Sequence, residues 1–491
     1  MQASFYLKIL QIFNNRLNKN PRDKIKIMSR KSIKWLLCNL IIVGNFLGML
    51  DSSTVNLALY PISQGLHITI SQVQWVIIAY MLVLTVLLPF FGKLGDIFPK
   101  NKIYAVGFSV FALGAFLSST TNCFYLLILY RCIEAMGASV MIANGPAAIA
   151  TLFKGSERGK ALGINACIVA VGGMSGPAIG GFLIHLFNWH AIFLPSVPIA
   201  ILGAIISYKM LPSYVTKKKF KFDYKGFIYF TTGLFALLLA ISEGHTWGWK
   251  SVRIIILGII TLIFGALFYF RDKKINYPLI NFKMFKIRTF TFGNIAVMTS
   301  YMCMFTNGVL LPIFLQEINH LNAFVTGLLI LPYSIASSAV APFAGSYAGK
   351  HGSRLLTILG PSIYIIALII FTTFNTSTPK WEVVLASIIM GIGNGCFQSP
   401  SNNAIITSVR KDELGIASGI LSLSRNLGNI LGVALTITMF DSFRNIFRNG
   451  GIEYTKAFLD SYHLTMGFGI IFGITCFTCS LIAYAPEKNS R

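Results

Sequence analysis

Apolar residues run through this chain in long blocks, with polar residues gathered in short stretches between them. A bilayer-spanning helix needs about 20 largely apolar residues. Blocks of that kind begin near Trp35, Gln74, Ile103, Phe124, Ala161, Ala191, Gly226, Val252, Phe290, Ala323, Leu355, Val383, Leu414 and Leu464. The pattern predicts an all-α polytopic membrane protein with fourteen transmembrane helices.

Composition and charge sharpen that picture. Of the 491 residues, 55% are apolar and only 12% charged, with a mean hydropathy of +0.68. That charged share is about half the usual one for a soluble domain, which excludes a cytosolic enzyme, a secreted domain and a disordered chain. The net charge of +25 would suit nucleic acid if it formed one patch. Instead the basic residues occupy alternate loops. Of 41 Lys and Arg, 33 fall in the N-terminal arm, the tail and every second loop, and six fall in the intervening loops. The remaining two, Arg131 and Arg425, lie inside predicted spans. By the positive-inside rule both termini are cytoplasmic and the number of spans is even. The expected setting is a bacterial plasma membrane. The first 34 residues form a basic arm without the apolar core and cleavage site of a signal peptide. Either residues 5–13 rest on the membrane surface or translation starts at Met28. The eight cysteines lack metal-ligand spacing and read as packing residues, Cys476-x-x-Cys479 included. No metal or cofactor is expected.

The chain also repeats itself at an offset of 253–256 residues. Pro89-Phe90-x-Gly92 recurs as Pro342-Phe343-x-Gly345. Gly137 matches Gly393, Gly159 and Gly163 match Gly415 and Gly419, and Gly172 and Gly176 match Gly428 and Gly432. The repeat divides the chain into a basic arm (1–34), a six-helix bundle (35–210), two extra helices with basic linkers (211–288), a second six-helix bundle (289–485) and a short tail (486–491). Two parallel six-helix halves with substrate bound between them are the architecture of major facilitator transporters.

Several motifs then resemble one family. Leu50-Asp51-Ser52-Ser53-Thr54-Val55-Asn56-Leu57-Ala58-Leu59 is similar to the L-D-x-T-x-V-N-x-A-L of fourteen-span drug/proton antiporters of the QacA/EmrB type, with Tyr60 intervening before Pro61. Gln74-Trp75 and Tyr80 open the second span as in that family. The loop from Gly92 through Gly95 and Asp96 to Lys100 resembles the superfamily's G-x-L-x-D-R-x-G-R-[KR], with Ile97 and Pro99 as departures that imply a weaker charge network. Arg131-x-x-Glu134-x-x-Gly137 carries Glu where Gln is usual. Gly172-Gly173-Met174-Ser175-Gly176-Pro177-Ala178-Ile179-Gly180-Gly181 resembles the signature that marks antiporters. Trp189-His190-Ala191-Ile192-Phe193 and Glu243-Gly244 with Trp247-Gly248-Trp249 also match.

Charged residues inside spans are costly and usually functional. Asp51 and Arg131 each lie about seven residues from the outer end of their span, roughly 10 Å deep at 1.5 Å per residue. They are therefore candidates for a proton-coupling pair that also meets substrate. The alternative is a fixed structural ion pair. Glu134, one turn from Arg131, is a second candidate or merely its local partner. Arg425 reads as a packing or carbonyl-capping residue. Gly172, Gly176 and Gly180 share one face, where small residues let helices approach closely; Pro177 removes a backbone hydrogen bond. Asp96, among Lys93, Lys100 and Lys102, is placed to pair with a neighbouring helix end and hold one conformation. Neither first-half acid recurs in the repeat, so the second half is expected to supply mostly apolar and aromatic contacts.

These readings converge on a transporter, not an enzyme. The leading expectation is proton-driven export of lipophilic, cationic compounds, which the 40 Phe and 19 Tyr favour weakly. The alternative is transport of one defined metabolite on the same fold. No G-x-x-x-x-G-K-[ST] loop is present for an ATP-driven pump. A membrane sensor would leave the intramembrane acids idle. The expected partners are a small-molecule substrate, protons and the lipid bilayer, without nucleic acid, and the chain reads as a monomer.

Overall fold

The computed structural model describes residues 31–68, 70–211, 223–275, 279–321 and 323–484. A few side chains inside these ranges, Pro177 among them, lie outside the description, as do the first 30 residues, the Lys217–Lys221 cluster and the tail. Fourteen long helices are present among the described residues: α1 (Lys31–Gly65), α2 (Trp75–Ile97), α3 (Lys100–Ser118), α4 (Phe124–Leu152), α5 (Gly155–Leu186), α6 (Ser196–Met210), α7 (Tyr224–Trp247), α8 (Val252–Asp272), α9 (Arg288–Glu317), α10 (Ala323–His351), α11 (Arg354–Phe371), α12 (Lys380–Thr407), α13 (Leu414–Asn449) and α14 (Tyr454–Ala483). Thirteen of them are long and apolar enough to cross a membrane among the described residues.

Two cores form. Leu37, Leu47, Tyr80, Phe108, Phe111, Met141 and Ile149 fill the first, among α1–α6. Phe290, Phe314, Tyr364, Phe371, Phe397 and Tyr462 fill the second, among α9–α14. The extra pair packs at the edge of the second core, which Phe268 of α8 joins and against which Phe227, Tyr229 and Phe230 of α7 lie. Leu238 of α7 is buried against Leu82 and Val86 of α2, with Leu427 and Ile430 of α13 beside them. Helix α7 therefore straddles the seam between the halves. Helix α8 packs on α7 through Tyr229 against Phe264 and Phe230 against Phe268. Its other face leaves Ile256, Ile259 and Leu262 exposed, as suits a surface bathed in lipid tails. Replacing those three by Ala is expected to leave transport unchanged in a vesicle assay; loss of transport with normal membrane levels would place substrate contacts on α8.

The repeated glycines mark where backbones touch. A Cβ at Gly92 of α2 would overlap the carbonyl oxygen of Gly415 in α13, and one at Gly419 would meet Leu88 and Pro89. The repeat reproduces this arrangement. A Cβ at Gly345 of α10 would overlap the carbonyl of Gly159 in α5, and one at Gly163 would meet Ala341 and Pro342. Gly137 sits on Phe111 and Gly107 of α3, and its counterpart Gly393 on Gly360 of α11. Any side chain at these positions would separate the helices, because interiors are packed too densely to absorb one. The two cross-half contacts, α2 on α13 and α5 on α10, lie at the same end of the molecule, the end carrying the basic loops. The structure is thus closed at its basic end.

Candidate functional site

Two helices, α1 and α4, bring the first-half charges together. Arg131 Nη1 donates to Asp51 Oδ2 at 2.6 Å and to Glu134 Oε2 at 2.7 Å. All three side chains are at most 2% exposed. The guanidinium lies over the Tyr80 ring of α2, 4.1 Å from its centroid, and 5.6 Å from that of Phe193. Phe193 follows a 3₁₀ turn over Trp189–Ile192, which gives the W-H-A-I-F stretch a place at this site. The carboxyls of Asp51 and Glu134 are also within hydrogen-bonding reach of each other. Two carboxylates are acceptors only, so that contact closes when one of them carries a proton. Glu134 Oε1 and Arg131 Nε find no partner among the described residues.

One cation thus faces two acids in a site that excludes water. With both acids ionised the cluster holds a net negative charge in a low-dielectric surround, which is costly; with one proton it is neutral. Chemically, the arrangement can hold and release a single proton. The sequence placed Asp51 about seven residues from the outer end of its span, roughly 10 Å deep. The helix instead runs through Pro61 to Gly65, so Asp51 lies deeper in α1 than the apolar block implied. Polar residues such as Ser63 and Gln64 end an apolar block without ending a helix.

The glycine stripe of α5 is seated on the turn of α1 that carries Asp51. A Cβ at Gly172 would meet Phe46 and Leu50, one at Gly176 would lie 2.5 Å from Ser53 Cβ, and one at Gly180 would lie 2.7 Å from Thr54 Cγ2. Gly181 is looser, with Leu57 at 3.4 Å. Ser53 Oγ donates to the Gly173 carbonyl, and Asn45 Nδ2 donates to Asn165 Oδ1 at 2.7 Å. The same stripe in the repeat, Gly428 and Gly432, seats α13 on α9 at Met298, Tyr301 and Met302.

At the basic end, Asp96 closes the α2–α13 contact. Its carboxylate accepts from the backbone N–H groups of Gly415 at 2.6 Å and Ile416 at 2.9 Å. These are orphan donors at the start of α13, where the helix dipole favours a negative charge. Gly92 and Gly95 leave room for this approach: a Cβ at Gly95 would overlap the Asn144 amide. Asn144 donates to the Phe91 carbonyl at 3.0 Å and accepts from Lys100 Nζ at 3.1 Å. The repeat position of Asp96 is Gly349, which packs on Ser156 instead. There Arg158 donates to Asn403 at 2.8 Å and Ser399 to the Gly159 carbonyl at 3.3 Å. Asp96→Ala is expected to weaken the closed state, because an acceptor cap at a helix start is worth about 0.5–2 kcal/mol. Spin-label distances between positions 98 and 411 should lengthen or broaden; an unchanged distribution would show that Asp96 does not hold this end shut.

Sequence reasoning missed Asn144, Arg158 and Tyr80 as members of these clusters. Asn144, a lone amide deep in an apolar block, was the available signal; Arg158 was hidden among orientation charges. The second half also differs from the apolar interior expected. Tyr364 donates to Asn394 at 3.1 Å, Asn394 donates to Ser337 at 2.8 Å, and Gln398 and Asn402 are buried. A period-based reading counts such residues as interruptions, not as a network on one helix face. All eight cysteines are free.

Comparison with known proteins agrees with this architecture. The family profile described as the Major Facilitator Superfamily matches residues 41–433, and residues 293–490 match it again. The chain is 34% identical to the riboflavin transporter RibZ of Clostridioides difficile, over 87% of this chain and 94% of that one. It is 27% identical to the multidrug resistance protein Stp of Mycobacterium tuberculosis, over 80% and 73% respectively. The fold superposes on the proton:xylose symporter XylE with a TM-score of 0.60 at 15% identity, covering 90% of this chain and 95% of that one. Two helical cores, a multi-pass membrane chain and the matched profile together make this protein a member of the Major Facilitator Superfamily, a secondary transporter and not an enzyme.

Proposed function

We propose that the chain is a proton-coupled antiporter of the fourteen-span branch that exports lipophilic compounds across the plasma membrane. The observation that carries this reading is the buried cluster of Asp51, Arg131 and Glu134, which has one acid in excess of its cation. Protonation from outside neutralises the cluster, and release to the inside restores its charge. Each change alters the cost of the surrounding interior and so biases which end of the molecule is open. Asp51 and Glu134 share the proton, Arg131 positions both, and the Gly172–Gly176–Gly180–Gly181 stripe keeps α5 sealed on α1. The Gly92–Gly95–Asp96–Lys100 segment latches the basic end. With both termini in the cytoplasm, the closed basic end is the cytoplasmic one and the present state loads or unloads at the outside.

A second reading is transport of one metabolite. It is favoured by the relative named a riboflavin transporter, which is more similar over more of its length than the multidrug relative. One experiment addresses both: a substrate panel, riboflavin included, in inverted vesicles with an imposed proton gradient. Gradient-dependent uptake of several unrelated lipophilic compounds is expected. Uptake of one compound alone would favour the metabolite reading. Uptake that ignores the gradient would overturn proton coupling.

A further inference from the structure

We infer that Arg425 and Asn429 of α13 form a substrate half-site for a group rich in oxygen acceptors, a carboxylate or a conjugated imide. This inference rests on the reading of the interior as a transport path. Four residues of α13 define its face towards α9: Ser424 donates to Asn294, Gly428 meets Met298 and Tyr301, Gly432 meets Met302 and Phe305, and Thr436 bonds Thr306. Gly415 and Gly419 define its face towards α2. At 3.6 residues per turn, Arg425 and Asn429 project between those two faces. Leu427 and Ile430 project on the far side, where Leu82, Val86 and Leu238 pack. The polar pair therefore faces the enclosed space between the halves, not lipid.

Neither side chain is occupied. Both are half-buried, and Arg425 Nε and Asn429 Oδ1 are shielded from solvent without a hydrogen-bond partner among the described residues. Arg425 caps no carbonyl and pairs with no carboxylate there, which departs from the packing or capping role expected of it. Arg131, by contrast, pairs with two carboxylates through Nη1, although its Nε too lacks a partner among the described residues. An arginine held in a span without a counter-charge is costly, so a benefit elsewhere is required. The repeat shows that the fold does not need it. The glycines that hold α13 on α9 recur in the first half, whereas the counterparts of Arg425 and Asn429 are Val169 and Gly173.

The chemistry of the pair specifies its ligand. A guanidinium presents a planar fork of donors that fits two oxygens side by side. Asn429, one turn away on the same face, adds one donor and one acceptor. A carboxylate fills the fork alone; an imide, with two carbonyls flanking an N–H, uses the amide as well. A permanent cation is repelled here, so this wall selects against the cationic compounds that the aromatic content suggested.

The test is equilibrium binding to the purified full-length chain of three fluorescent probes: riboflavin as a neutral imide, fluorescein as a carboxylate and ethidium as a permanent cation. Wild type is expected to bind riboflavin or fluorescein, and the one bound identifies the group. Arg425→Gln should weaken that binding on the order of tenfold or more, the scale of one charged hydrogen bond. Arg425→Lys should retain part of it, Asn429→Ala should weaken it less, and ethidium binding should not fall. Elution profile and thermal midpoint of each variant establish that it is folded. Asp51→Asn protein, assayed in parallel, separates the two proposals: binding that still depends on Arg425 there survives a failure of proton coupling. Binding of ethidium alone, of no probe, or of an acceptor probe whose affinity Arg425→Gln leaves within about twofold would overturn the inference.

Discussion

Asp51→Asn is expected to reach the membrane in normal amount and to abolish gradient-driven transport. Asparagine keeps the size of the side chain and an acceptor for Arg131 Nη1 at 2.6 Å, but it does not titrate. Asp51→Glu should keep part of the activity with a shifted pH dependence. Arg131→Ala should fail more severely. It leaves two buried carboxyls without their cation and strips the guanidinium from the Tyr80 ring. Removing one partner of a buried pair costs about 3–5 kcal/mol. A purely structural pair predicts another pattern, in which single variants misfold and the charge-free double variant Asp51→Asn with Arg131→Ala regains transport. Expression and gradient-driven uptake of the three variants separate the two. Normal coupled transport in Asp51→Asn would pass the proton role to Glu134, which shares the same guanidinium.

The second large effect is expected at the glycine contacts. Gly176→Leu should fold and transport poorly, because its Cβ alone would lie 2.5 Å from Ser53 Cβ and 2.8 Å from the Ser53 backbone carbon. Overpacking of this kind costs about 1–3 kcal/mol, small beside a whole bundle yet enough to shift α1 and with it Asp51. Gly345→Leu acts elsewhere. Its side chain would overlap Gly159 at the basic end and disfavour the closed state. Proteolysis or cysteine labelling at the basic end should therefore rise for Gly345→Leu and stay at the wild-type level for Gly176→Leu, while uptake falls for both. Full uptake by Gly176→Leu would show that close packing of α5 on α1 is dispensable.

Much of this was legible from residue order. Apolar blocks and alternating basic loops place the helices without any tertiary information, since each span satisfies its own backbone. The repeated glycines were legible as a duplication, and their role follows once two backbones are seen to meet there. Asp51 and Arg131 could be paired by depth because charges are rare inside spans. What stayed hidden depended on azimuth. The sequence does not reveal which way a polar residue points from a helix that is apolar all round. The bonds of Asn394 to Tyr364 and Ser337 therefore could not be read from the sequence, and Arg425 read as a packing or capping residue, although its Nε bonds no carbonyl among the described residues. The bonds from Gly415 and Ile416 to Asp96 span more than 300 positions, so spacing alone named the carboxylate without its partner helix.

The most direct test of the central claim is the proton movement that substrate itself provokes. Purified protein in vesicles loaded with a pH-sensitive dye, with no imposed gradient, is given a transported substrate. The account predicts a substrate-dependent pH change for wild type and none for Asp51→Asn, with substrate binding retained. An Asp51→Asn protein that moves protons with substrate as wild type does would contradict it.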